Sequence, residues 1–122
     1  MDFSLLLSSY ATVWSNPEVL LMTFIGALGG VLLGAIPGMT ATMGVALLVT
    51  LTYKMAPDQA ILTLMCVYLG AIYGGSRTAI LLNIPGTPAN AAATLDGHPL
   101  ALQGKAGLAM GLATTSSTLG TL

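Results

Sequence analysis

The chain has 122 residues, 55% of them hydrophobic and 6% charged, with a mean hydropathy of +0.88. Soluble domains carry about 25% charged residues, so this composition cannot coat a water-facing surface and places the chain in a lipid bilayer. A net charge of −1 offers no basic patch for nucleic acid, a single cysteine excludes an internal disulfide framework, and no zinc-type cluster occurs.

The first segment, residues 1–15, repeats apolar residues at helical spacing: Phe3, Leu6, Leu7, Tyr10, Val13 and Trp14. Ser4, Ser8, Ser9 and Thr12 fill the other face. This amphipathic helix is too short to span, and it either lies at the membrane interface or docks on other subunits. Met1-Asp2-Phe3 lacks the positive start of a signal peptide, so the segment is expected to stay in the mature protein. Asn16-Pro17-Glu18 reads as a helix start, with Asn16 as cap and Pro17 in the first helical position. From Val19 to Tyr53 there is no charge. One helix of that length would measure about 52 Å against a hydrocarbon core of about 30 Å. Pro37-Gly38 must interrupt it, so residues 16–54 form either a broken helix or a hairpin. Gly26, Gly30, Gly34 and Gly38 recur every fourth residue, a ridge that lets helix backbones approach closely in lipid. The same spacing returns at Gly70/Gly74 and Gly107/Gly111, which predicts close helix contacts there too.

Residues 57–76 read as a membrane-spanning helix that starts at Pro57-Asp58 and loosens at Gly74-Gly75-Ser76. Within it Cys66 lies among Leu64, Met65 and Val67 as an apolar filler. Residues 77–95 read as a broken or re-entrant segment. Its core, Leu81-Leu82-Asn83-Ile84-Pro85-Gly86-Thr87-Pro88-Ala89-Asn90, sits in an uncharged apolar run yet holds two prolines, each of which removes a backbone donor. In hydrocarbon the freed backbone groups need protein, water or ligand partners. Residues 96–105 read as a turn, from Asp96-Gly97 followed by His98-Pro99. Residues 106–122, rich in alanine, threonine, serine and glycine, read as the start of a further helix that faces other protein, and the apolar end at Leu122 suggests a longer chain. The expected fold is all-α and polytopic in the membrane, with helices broken at Pro-Gly motifs. By the positive-inside tendency Lys54 and Lys105 should share the cytoplasmic side.

Ile36-Pro37-Gly38 and Ile84-Pro85-Gly86 are the same tripeptide, and threonines follow both. Paired helix breaks expose helix ends: N-terminal amides suit a carboxylate, freed carbonyls suit a cation. The candidate binding residues are therefore Pro37, Gly38, Thr40, Thr42, Ser76, Arg77, Thr78, Asn83, Pro85, Gly86 and Thr87, with the two breaks expected to meet near the membrane midplane. A sodium ion would lie near Asn83, Gly86 and Thr87. Gly38 and Gly86 would let a ligand reach the backbone. Ser76, Thr78, Thr87, Asn83 and Asn90 offer neutral oxygens and amides, although a hydroxyl in a helix commonly bonds its own backbone. Arg77, the one arginine, either binds a carboxylate or snorkels at a membrane edge. Asp96 and His98 look like surface-turn residues. A Ser76/His98 hydrolase lacks a third member and an oxyanion motif, so no enzyme is expected.

Four stretches, taken in order, resemble a known family: Gly34-Ala35-Ile36-Pro37-Gly38-Met39-Thr40-Ala41, Tyr73-Gly74-Gly75-Ser76, Ile80 to Pro88, and Asp96-Gly97-His98-Pro99-Leu100-Ala101. They are similar to the N-terminal part of the large membrane subunit of tripartite tricarboxylate transporters, over nearly all of the chain after Pro17. The resemblance implies part of a larger inverted-repeat transporter in the bacterial inner membrane. It implies secondary active transport of a carboxylate, citrate or another di- or tricarboxylate, without ATP and with no cofactor beyond a coupling Na+ or H+. The implied partners are a periplasmic solute-binding protein, a small membrane subunit and the lipid bilayer. Arg77 departs from the family pattern, where an aliphatic residue commonly follows Gly-Gly-Ser, and raises the expectation of a more anionic substrate. The alternative class is a non-transporting membrane scaffold or small pore subunit, which has no use for two broken helices.

Overall fold

The computed structural model describes residues 3–120. Six α-helices follow in order: α1 (Phe3–Ser15), α2 (Pro17–Ala35), α3 (Ala41–Thr52), α4 (Pro57–Leu82), α5 (Ala91–Leu100) and α6 (Ala106–Gly120). A 3₁₀ turn at Pro88–Asn90 precedes α5, and a π-type turn at Ala101–Lys105 separates α5 from α6. No strand occurs among the described residues. Two helices, α2 and α4, are long and apolar enough to cross a membrane.

The seam between α2 and α4 organises the molecule. Gly26, Gly30 and Gly34 of α2 face Thr63, Val67 and Ala71 of α4, with the same offset at each step, so the two helices run parallel. From the other side Gly70 faces Ala27 and Val31, and Gly74 faces Val31. A Cβ on Gly30, Gly34, Gly70 or Gly74 would overlap the partner's backbone. The glycines therefore interlock, and close backbone packing supplies the dispersion energy that holds helices together where lipid cancels the hydrophobic drive. Val67, Ala71, Ala79 and Ile80 are the buried apolar residues of α4. Most large apolar side chains elsewhere are exposed, among them Phe24, Leu32, Leu51 and Leu69, as lipid or further protein requires.

Between these parallel helices α3 must run back, and a Cβ on Gly44 would sit 3.5 Å from Leu33 Cδ1. Residues 17–52 thus form a hairpin with an unwound corner, and α3, at 12 residues, rises only about 18 Å. Asn16 takes the extended capping conformation but makes no side-chain cap; its Nδ2 donates instead to Thr12 O at 3.4 Å. Apart from half-buried Val13, α1 is exposed throughout.

Three sequence expectations change here. First, α4 does not loosen at Gly74-Gly75-Ser76 but continues through Arg77 to Leu82. Helical glycine costs about 1 kcal/mol relative to alanine, and here packed backbone on both sides offsets it. The break in 77–95 is correspondingly shorter, from Asn83 to Asn90. Second, Asp96-Gly97-His98-Pro99 is helical rather than a turn. Gly97 lies where a Cβ would be 2.8 Å from Ile80 Cγ1, and His98 Nδ1 pairs with Ile80 O at 3.1 Å. These contacts hold α5 straight along α4, and the chain reverses later, at Gly104, whose φ of 78° lies in the left-handed region that favours glycine. Third, the close contacts expected of the α6 glycines are not made among the described residues, which leaves that face open toward other protein: nothing lies within 4 Å of a Cβ on Gly107 or Gly111.

Levels along α4 give the topology of the second half. Asn90 reaches Ile72, and His98 reaches Ile80, so α5 climbs in the same direction as α4. Thr114 of α6 meets Arg77, and α6 descends. The chain from Leu82 therefore dips to the level of Ile72 and returns without crossing. Lys54 and Lys105 consequently stand at opposite ends of α4, contrary to the charge-based expectation, because a re-entrant dip replaces a second crossing.

Candidate functional site

The first break spans residues 36–40. α2 ends at Ala35, and the Ile36 N–H bonds Leu33 O at 3.2 Å. Pro37 and Gly38 are exposed, and Gly38 has a φ of 88° with nothing within 4 Å of a Cβ. Thr40 caps α3: its Oγ1 accepts from Met43 N at 3.2 Å and lies 2.9 Å from Thr42 Oγ1. Thr40 and Thr42 are thus turned to each other and to the new helix, and not toward the second break.

The second break starts at Asn83, which ends α4 in the left-handed conformation at φ 59° and is exposed. Asparagine tolerates that region better than other non-glycine residues, so its role here is to stop the helix. Pro85 is half-buried, and Gly86 and Thr87 are buried. Gly86 lies against the Gly34 carbonyl and the Cα of Gly75, so the second break packs against the last turn of α2 and against α4, while nothing lies within 4 Å of a Cβ on Gly38 in the first break. No room for a ligand remains at Gly86; it is glycine because two other backbones occupy the space of a Cβ. Gly75 is 18 residues above Pro57 and 7 below Leu82, about 27 Å and about 10 Å along the helix. The junction is therefore displaced toward the C-terminal end of α4 rather than placed at its middle.

Asn90 locks this junction. Its Nδ2 donates to Ile72 O and to Thr87 Oγ1, both at 3.0 Å, and the residue is 8% exposed. Sequence reading treats Asn90 only as one of several polar side chains. Its position after Pro88, ahead of an alanine run, is a helix-start signal that carries the finer assignment. Thr78 is buried and bonds Gly75 O at 3.0 Å; Ser76 bonds Tyr73 O at 2.8 Å. Both follow the ordinary helix-internal pattern.

Arg77 is half-buried and does not simply snorkel. Its guanidinium carbon stacks 4.1 Å from the Tyr73 ring centroid. Its Nη2 donates to the Tyr73 hydroxyl and, at 2.8 Å, to Thr114 Oγ1 of α6. Tyr73 and Thr114 both line a groove of about 680 Å³ between α4 and α6, together with Ile72, Ser76, Asn90 and Ser117. A second lobe of about 450 Å³ continues from Ser76, Asn90 and Ser117 toward α5 and Asp96. No sequence signal joined Thr114 or Ser117 to Arg77, since that contact is made across 37 residues by the re-entrant dip.

The described residues thus form an all-helical array with two helices long and apolar enough to cross a membrane, two helix breaks, and a largely apolar groove that carries a few polar side chains. The chain belongs to the tripartite tricarboxylate transporter TctA family, whose model matches residues 20–122. That is a family of transporters and not of enzymes. The chain is also 39% identical over 102 residues to an "Uncharacterized 52.8 kDa protein in TAR-I ttuC' 3'region" of Agrobacterium vitis. This match covers 84% of the chain and 20% of that protein, so the chain spans about a fifth of the length of its curated relative. No solved structure matches it at a significant level.

Proposed function

We propose that the full-length protein is the large membrane subunit of a secondary transporter that carries a di- or tricarboxylate, such as citrate, across the bacterial inner membrane. On this reading a periplasmic solute-binding protein delivers the substrate, a small membrane subunit accompanies the large one, and a Na+ or H+ gradient drives uptake. The observation that carries it is the packing of Gly86 against Gly34 and Gly75, which seats the second interrupted segment between the end of α2 and the continuous helix α4. Interrupted helices leave amides and carbonyls without helical partners, and in a bilayer that arrangement is retained where ions and anionic groups are handled. A scaffold gains nothing from two such breaks.

The roles follow from backbone chemistry. The first turn of α3, at Ala41 and Thr42 after the open corner Pro37-Gly38, presents amides to an anion. Carbonyls freed where α4 stops at exposed Asn83 suit sodium, a hard cation that takes neutral oxygen ligands, whereas Gly86 is filled by neighbouring backbone and Thr87 is bonded to Asn90. Ser76, Arg77 and Thr78 line or flank the same stretch of α4, and Pro85 keeps the dip from regaining helix. The test is uptake of radiolabelled citrate and succinate into proteoliposomes that contain the full-length protein, its small subunit and its binding protein. Uptake that follows an imposed Na+ or proton gradient and needs the binding protein supports the reading. Absence of carboxylate uptake under every gradient overturns it.

A further inference from the structure

We propose that the groove between α4 and α6 holds one carboxylate of the transported substrate, with Arg77 as the cation at its rim and Ser117 as a hydroxyl donor across from it. This inference rests on the carboxylate-transport reading and moves the contact away from the helix breaks to a second place on α4. Three observations carry it.

The first is the state of the guanidinium. Both hydrogen bonds of Arg77 use Nη2, so Nη1 and Nε take part in neither. Three N–H groups of a permanently charged, half-buried side chain thus remain for an acceptor. Stacking on Tyr73 fixes the plane of the group, which leaves less freedom to be lost on binding.

The second is the hydroxyl census of α6. Thr114, Thr115, Ser116 and Thr118 all bond carbonyls of their own helix. Ser117 lines both lobes of the groove and makes no such bond among the described residues. A hydroxyl kept free in a helix that otherwise satisfies its hydroxyls internally is available to a ligand.

The third is the distribution of charge. Arg77 bridges two wall residues of the larger lobe, whereas Asp96 lines the smaller one. An anionic group is therefore attracted to the Arg77 end and repelled from the α5 end, which orients a chain-like carboxylate along the groove. The larger lobe, at about 680 Å³, falls within the range of small-molecule sites, about 300–1,000 Å³.

The experiment uses the full-length protein in proteoliposomes, with Cys66 and every other cysteine of the full-length chain replaced by alanine as background. Ser117→Cys and, separately, Gly38→Cys are alkylated with a membrane-permeant maleimide, with and without citrate, at matched ionic strength. The proposal expects citrate to slow labelling at position 117, and Arg77→Gln to weaken that protection about tenfold or more, as for loss of a charge-assisted bond. Arg77→Lys should restore part of it, because charge remains while the planar fork is lost. Protection at position 38 with none at 117 overturns the groove and leaves carboxylate binding at the breaks intact. Protection at 117 that is unchanged by Arg77→Gln removes Arg77 from the site. If the unsubstituted protein transports no carboxylate, the functional reading fails first and the groove with it.

Discussion

The two Ile-Pro-Gly breaks have the same sequence core and opposite surroundings. At the first, Gly38 is exposed, left-handed at φ 88° and free of neighbours. At the second, Gly86 is buried against Gly34 and Gly75, and its φ is not in the left-handed region. One glycine answers a backbone torsion, the other a lack of space. A motif read from sequence thus predicts a break, but the reason for its glycine is set by what packs against it. The second break is a structural joint, and the first is an open corner ahead of a capped helix.

This contrast breaks most sharply at Gly86. Gly86→Val should abolish uptake by the full-length protein while membrane insertion persists, since the branched side chain would drive the dip off α4 at a cost of about 3 kcal/mol or more. Normal uptake kinetics in that variant would falsify the joint. Gly34→Ala, whose Cβ would overlap the Ala71 backbone across the α2–α4 seam, should lower the melting temperature of the purified protein nearly as much, by about 2–3 kcal/mol of stability. Asn90→Ala comes next. It removes the donor of Thr87 Oγ1 and the second donor of Ile72 O, and should cost about 2 kcal/mol, detectable as faster proteolysis within residues 83–90. An unchanged cleavage rate would mean that Asn90 does not hold the dip.

At the open corner the expected effects are smaller and of a different kind. Gly38→Ala should cost about 1–2 kcal/mol through its torsion, and Gly38→Asn should recover much of that. The same pair of substitutions at Gly86 should show the reverse order, alanine being tolerated better than asparagine, because volume decides there. Equal ranking at both positions would erase the distinction between the two breaks. Thr40→Ala should be mildest, about 1 kcal/mol for a lost N-cap, seen as a small shift in thermal melting.

The chain's own letters settle several features. Charge scarcity requires a bilayer, Pro17 and Pro57 begin helices, and glycines at fourth-residue spacing foretell the seam. Each of these depends on local chemistry or on a period along one helix, which a linear reading can see. The interruption by Pro37 and by Pro85 is local for the same reason, since a missing N–H acts where it stands. Composition read alone misjudged Gly74-Gly75-Ser76 and Asp96-Gly97-His98-Pro99, which look like helix breakers. Both are helical because another backbone or side chain fills the space that a glycine leaves, Val31 and Gly86 in one case and Ile80 in the other.

Tertiary structure alone decided the direction of the second half. Three positive charges were too few to reveal that residues 83–105 dip and return, so Lys54 and Lys105 lie at opposite ends of α4. It also decided which polar groups meet. Arg77 finds Thr114, and Asn90 finds Ile72, across stretches of chain whose intervening residues carry no periodic signal. Helical periodicity is a property of neighbours in sequence. The groove between α4 and α6 is a property of two helices brought side by side by a re-entrant segment, and its few polar side chains, Ser76, Asn90, Thr114 and Ser117, meet there only once that segment has folded back.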